Sequence, residues 1–147
     1  MQKYKEMIEN SNSIAVHIRR GDYLQVPEVY CGICTEEYYE DALRKFEESE
    51  PDCHFFVFSN DPEWVKAHFT QENMTIVEGN DENAGYVDMY LMSCCRHFII
   101  ANSSFSWWAA WLGKYKGKKV IAPKQWFHGM DCEDIYEGLS EEMLWLR

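Results

Sequence analysis

Ser13-Ile14-Ala15-Val16-His17-Ile18-Arg19-Arg20-Gly21-Asp22-Tyr23 is the stretch whose reading decides the fold. Its first six residues follow the polar turn Asn10-Ser11-Asn12 and read as a buried strand that runs directly into a charged loop. Two adjacent guanidiniums at a strand's carboxyl end suggest phosphate binding, because each carries a planar fork of donors that meets phosphate oxygens two at a time. Gly21 lets the backbone turn sharply beside a bulky ligand. In open parallel α/β sheets, ligands gather beyond the carboxyl ends of the strands, so the loop also stands where a site is expected. The other reading of Arg19 and Arg20 is a pair of surface salt bridges. Asp22 is read as a salt-bridge partner that orders the loop rather than as a general base.

Outward from this stretch, strands and helices alternate. Tyr4 to Glu9 reads as a helix before the first strand, and a long loop from Arg19 to Cys34 follows it. Thr35 then makes an N-cap, Glu36 and Glu37 suit the positive end of a helix dipole, and Tyr38, Tyr39, Ala42, Leu43 and Phe46 recur at helical spacing until Ser49, before Pro51. Cys53 to Phe58 is a second strand, and Asp61 and Pro62 start a helix. Met74 to Val77 reads as a third strand, Ala84 to Cys95 as a helix, His97 to Ala101 as a fourth strand and Lys119 to Ala122 as a fifth. Ser104 to Leu112 is apolar all round and is expected to be a buried helix with Gly113 at its C′ position. The fold class this gives is α/β, a Rossmann-like parallel sheet of about five strands with helices on both faces. No linker or repeat divides residues 1–147, so one domain is expected.

The second chemistry-bearing motif is Asn102-Ser103-Ser104-Phe105-Ser106-Trp107-Trp108. It sets small hydroxyl and amide side chains at a helix start, where free N–H groups and the dipole attract anions. Ser103 or Ser104 alone reads as a simple N-cap; the phosphate reading gains its force from the Arg pair. On the common strand order 3-2-1-4-5, the first and fourth strands flank the switch point, and the loop at Arg19 faces the loop at Asn102.

Fourteen basic against 25 acidic residues give a net charge of -11, which argues against a nucleic-acid or anionic-membrane surface, since both need a broad basic field. An anionic ligand must be held locally. The amino terminus has no signal-peptide core and no apolar run approaches the roughly 20 residues that span a bilayer, so a cytoplasmic protein is expected. The six cysteines then read as reduced thiols, with Cys53, Cys94 and Cys95 in the core. Cys31 and Cys34 have a metal-ligand or redox spacing but lack a second spaced pair, since Cys94 and Cys95 are adjacent, and the plainer reading is a loop anchored by two half-buried thiols. His54, His68 and His128 show no partner pattern and read as surface or core.

Three ordered motifs carry a resemblance: His17 to Tyr23, Phe56-Val57-Phe58-Ser59-Asn60-Asp61, and Asn102 to Leu112, extended by Val120-Ile121-Ala122-Pro123 with Trp126 and Phe127. Together they resemble family 11 glycosyltransferases, the α-1,2-fucosyltransferases, over most of the chain. The resemblance implies the donor-binding half of a GT-B-like enzyme that transfers L-fucose from GDP-fucose to a galactoside hydroxyl, with inversion and with neither metal nor other cofactor. It further implies that Arg19 holds the β-phosphate as the catalytic residue, that His17 lies near the nucleotide, and that Arg20 supports the loop or the donor. Asn102, Ser103, Ser104, Phe105 and Ser106 complete the donor-binding set. Asp88 resembles the acidic residue that accepts hydrogen bonds from guanine, against the plainer reading of a solvated helix position. A glycan acceptor of the lipopolysaccharide kind, and peripheral association with the inner membrane face through a lipid-linked acceptor, complete what is implied. Family members carry an amino-terminal half with a Gly-rich segment that is absent here, so the expectation is an excised domain or truncated product. A GDP-sugar-binding module without catalysis is the alternative.

Overall fold

A computed structural model describes residues 2–19, 34–78, 85–127, 130–131 and 142–146. Arg20, Gly21, Asp22, Cys31, His128 and Cys132 lie outside the described residues. Helix α1 (Gln2–Glu9) leads into β1 (Asn12–Ile18), and α2 (Glu36–Ser49) precedes β2 (Cys53–Ser59). There follow α3 (Pro62–His68), β3 (Met74–Ile76), α4 (Gly85–Ser93), β4 (His97–Ile99), α5 (Ser104–Leu112) and β5 (Lys119–Pro123). Strands β6 (Gln125–Phe127) and β7 (Met130–Asp131) form a small antiparallel pair, and β8 (Glu142–Leu146) comes last.

The main sheet has the order β3-β2-β1-β4-β5-β8 and is parallel throughout. The expected five-strand order is present, with β1 and β4 paired at its centre. A sixth strand, β8, lies along β5 with Lys119 opposite Glu142 and Pro123 opposite Leu146. The sequence reading passed over it.

The strands are buried on both sides, and their period of two sorts each into two cores. Ala15, Phe56, Phe58, Phe98, Val120 and Ala122 face α1, α4 and α5. Ile14, Val16, Phe55, Val57, Ile99 and Ile121 face α2 and α3, where Tyr38, Leu43 and Phe46 pack. By the same parity His17 belongs to the α4 and α5 side. Caps follow the sequence: Thr35 Oγ1 accepts from Tyr38 N at 3.2 Å, and Asp61 Oδ1 accepts from Trp64 N at 3.3 Å behind Pro62.

Two expectations need correction. Helix α5 is not buried all round: Ser106, Ala109 and Ala110 form its inward stripe, while Trp108, Trp111 and Leu112 are exposed. The small residues let the helix approach the sheet closely, which leaves the large side chains on the outer face. Gly113 ends α5, but with φ -61° and ψ 129° rather than a left-handed C′ conformation. Its requirement is space, since a Cβ there would stand 2.7 Å from the buried Phe98 ring. Cys53 and Cys95 are buried thiols as expected, whereas Cys94 is half-buried.

At the amino end of the sheet the sequence reading missed a buried polar network around His97. The Lys119 amide donates to His97 Nδ1 at 2.9 Å, which leaves Nε2 to carry the proton and donate to Glu50 Oε1 at 3.0 Å. Lys119 Nζ reaches the same Glu50 oxygen at 3.2 Å. The network ties the end of α2 to the starts of β4 and β5.

Candidate donor site at the strand ends

His17 is the penultimate residue of β1 and is buried against Phe105 in the first turn of α5, ring centroids 5.3 Å apart. The strand's carboxyl end and the helix start therefore meet, which is the juxtaposition the assumed strand order called for. Arg19 follows directly, half-buried. Burial first, and then the Arg19 charge, lower the His17 pKa to about 3, so its imidazole is neutral at physiological pH. His17 Nδ1 has no hydrogen-bond partner among the described residues. A buried polar atom left so is uncommon and marks a place where a ligand or a neighbouring segment belongs.

The β4–α5 turn is built from its own polar side chains. Ser103 caps α5 by accepting from Phe105 N at 3.2 Å, and its amide donates to Ala101 O at 2.8 Å. The fully buried Ser106 hydroxyl accepts from Ala101 N at 3.2 Å and lies 3.3 Å from the carbonyls of Ala101 and Ser103. Buried Asn102 receives the Cys34 thiol at 3.5 Å on Oδ1. Burial pushes the Cys34 thiol up to about 12, so it remains protonated and serves as a donor. Three of the five residues expected to line this wall, Asn102, Ser103 and Ser106, thus shape the turn from inside. Ser104 is exposed, while Phe105 is half-buried and packs against the core and His17.

Two tyrosines brace the same end and were read in the sequence only as apolar. Tyr39 Oη donates to His17 O at 2.8 Å, and Tyr38 Oη donates to Ile100 O at 2.6 Å. Their signal was the choice of Tyr over Phe inside a buried stripe, since a buried phenol needs a partner. Helix α4 closes the third side. A Cβ added at Gly85 would stand 3.7 Å from Phe105 Cε2, and Asp88 is half-buried in the first turn of α4. His54 and His68 have structural partners, Thr75 Oγ1 at 2.7 Å and Trp64 O at 2.8 Å. Among the described residues no group of three or more His, Cys, Asp or Glu side chains is placed to hold a metal ion.

The strand end that carries His17 and leads to Arg19 thus lies against the first turn of α5, where free helix-start amides attract anions. Comparison with known proteins identifies the family. The glycosyl transferase family 11 profile matches residues 2–137. The chain is 44% identical over 133 residues to an Escherichia coli alpha-1,2-colitosyltransferase, covering 86% of this chain and 45% of that protein. It is 41% identical over 130 residues to the O-antigen biosynthesis glycosyltransferase WbnK of Escherichia coli, covering 86% of this chain and 43% of that protein. It is 34% identical over 103 residues to human galactoside alpha-(1,2)-fucosyltransferase 1, covering 67% and 28%. The chain thus spans less than half the length of these relatives. With a matching profile over nearly its whole length, the chain belongs to glycosyl transferase family 11.

Proposed function

We propose that this chain is the donor-binding part of an inverting, metal-independent α-1,2-fucosyltransferase that moves L-fucose from GDP-fucose to a galactoside hydroxyl of a glycan or lipopolysaccharide. The observation that carries the reading is the meeting of His17, two residues before Arg19 at the end of β1, with Phe105 in the first turn of α5. In the reaction the anomeric carbon loses its bond to the diphosphate oxygen and gains one to the acceptor hydroxyl on the opposite face. The acceptor proton passes to a base, and negative charge builds on departing GDP. Arg19 stabilises that charge, so its contact strengthens toward the transition state and accelerates the step rather than only tightening binding. His17, neutral, adds a hydrogen bond at the nucleotide, Arg20 supports the loop, and Asp88 meets the guanine edge. Ser104 and the first amides of α5 hold a phosphate, while Asn102, Ser103 and Ser106 keep those amides in place.

The greater identity to a colitosyltransferase, 44% against 34% for a fucosyltransferase, favours a second reading in which the transferred sugar is colitose. The protein works in the cytoplasm, where a lipid-linked acceptor brings it to the inner membrane face. A transfer assay with each donor and a galactoside acceptor, run with and without the remainder of a family-length enzyme supplied in trans, tests the reading. An α-1,2-linked product supports it. Absence of product under every condition, while GDP still binds, leaves the non-catalytic binding module instead.

A further inference from the structure

We propose that the outer face of α4 and α5, with the turn after α5, docks directly on a membrane leaflet containing anionic lipid. Of the seven exposed large apolar side chains among the described residues, six lie here: Tyr86, Tyr90, Trp108, Trp111, Leu112 and Tyr115. Tyr86 is 76% exposed, and Trp108 and Trp111 are 49% and 50% exposed. Scattered exposed apolar residues need no explanation, but a contiguous set does. Tyr86 and Tyr90 are one turn apart on α4; Trp108, Trp111 and Leu112 share one face of α5, and the two helices pack together. An open cavity of about 720 Å³ joins them, lined by Tyr86, Tyr90, Leu112 and Tyr115 with Arg96 and Lys114.

The net charge of -11 counts against an anionic leaflet for the molecule as a whole, whereas the residue types and local charge of this one face point to it. Trp and Tyr rings favour the boundary between headgroups and acyl chains, where the ring body is apolar and its N–H or O–H stays wet. From Met89 to Met130 the chain holds six of its 14 basic residues and none of its 25 acidic ones. Lys118 is committed to the carbonyls of Ala110 and Gly113, at 2.7 and 3.1 Å, and Lys119 to Glu50. Arg96, Lys114 and Lys116 remain beside the aromatic patch, with the Arg96 guanidinium 5.1 Å from the Tyr115 ring centroid. Glu9, the acidic side chain of the cavity lining, is paired with Lys5 at 3.7 Å. A second copy docked face to face brings like charges together, whereas an anionic leaflet supplies the opposite sign. The strongly acidic remainder of the chain is repelled by the same leaflet and so orients the molecule. Among the described residues no helix is long and apolar enough to cross a membrane, so contact stays at the surface.

The surface shares no residue with the candidate donor site, and its test contains neither GDP nor glycan. The whole chain is co-floated with neutral phosphatidylcholine vesicles and with vesicles containing about one-third phosphatidylglycerol, at low and high salt. Binding is expected on the anionic vesicles only and is weakened by salt. Trp108→Ser with Trp111→Ser, and separately Lys114→Glu with Lys116→Glu, are each expected to lower it about tenfold. All four side chains are exposed, and circular dichroism melts verify that both variants fold. No binding to either vesicle, binding unchanged in both folded variants, or concentration-dependent dimerisation that buries the tryptophans without lipid would overturn the proposal.

Discussion

The His17 imidazole lies against the Phe105 ring at 5.3 Å, buried and neutral, and joins the end of β1 to the start of α5. Its folded pKa of about 3 lies below the ordinary 6.5, so protonation favours the unfolded chain. The stability it contributes is complete above pH 6.5 and is lost as pH falls from there toward 3, with a slope of up to about 1.4 kcal/mol per pH unit. His17→Gln removes this dependence. Urea unfolding of both proteins at pH 7 and pH 5 checks it: the stability difference between them must shrink, or change sign, at the lower pH.

Cys34 Sγ and Asn102 Oδ1, 3.5 Å apart, fasten the segment before α2 to the β4–α5 turn. Asn102→Ala leaves buried groups unmatched and is expected to cost about 1–3 kcal/mol. It also opens the pocket around a thiol now held protonated. Iodoacetamide labelling followed by mass spectrometry is expected to show slow alkylation of Cys34 in the wild type and faster alkylation in the variant.

Glu50 receives both His97 and Lys119. Although burial alone pushes its carboxyl up, the Lys119 hydrogen bond and the neighbouring His97 hold it below the ordinary value. Its contribution is present above the ordinary carboxylate range and fades as pH falls through the lowered value. Glu50→Ala leaves buried His97 without its acceptor and is expected to cost about 2 kcal/mol at pH 7. Thermal melts at pH 7 and pH 3 check both the loss and its narrowing in acid.

Gly113→Ala tests why α5 ends where it does. A Cβ 2.7 Å from the Phe98 ring is expected to cost about 1–3 kcal/mol, because Phe98 has no free space to move into. A requirement for left-handed backbone does not arise at φ -61°.

How far the sequence was legible follows from what each signal measures. The continuous apolar runs Ile14 to Val16 and Phe55 to Phe58 identified strands buried on both faces, and the alternation with helices pointed to a parallel sheet, whose order was assumed from the common 3-2-1-4-5 arrangement and is the one present. Strand β8 escaped because its pattern is weak: two acidic residues, Glu141 and Glu142, precede a short apolar run, Met143 to Leu146, with no helix read before it. The α5 run was apolar on every side, so periodicity carried no information about which side met the sheet; the size difference between Ala109 or Ala110 and Trp108 or Trp111 did. In the candidate site, residue types pointed to the meeting of the β1 end with the α5 start but not to the direction of each side chain. Ser103, Ser106 and Asn102 look alike in sequence to ligand-facing groups, and only the turn geometry sends them inward.

The central claim is that Arg19, beside His17 and the α5 start, holds the diphosphate. Calorimetric titration of GDP into the wild-type chain and into Arg19→Ala tests it most directly. The account predicts measurable GDP binding that the substitution weakens by about 2 kcal/mol, roughly thirtyfold. No wild-type binding at millimolar GDP, or equal affinity in the two proteins, would contradict it.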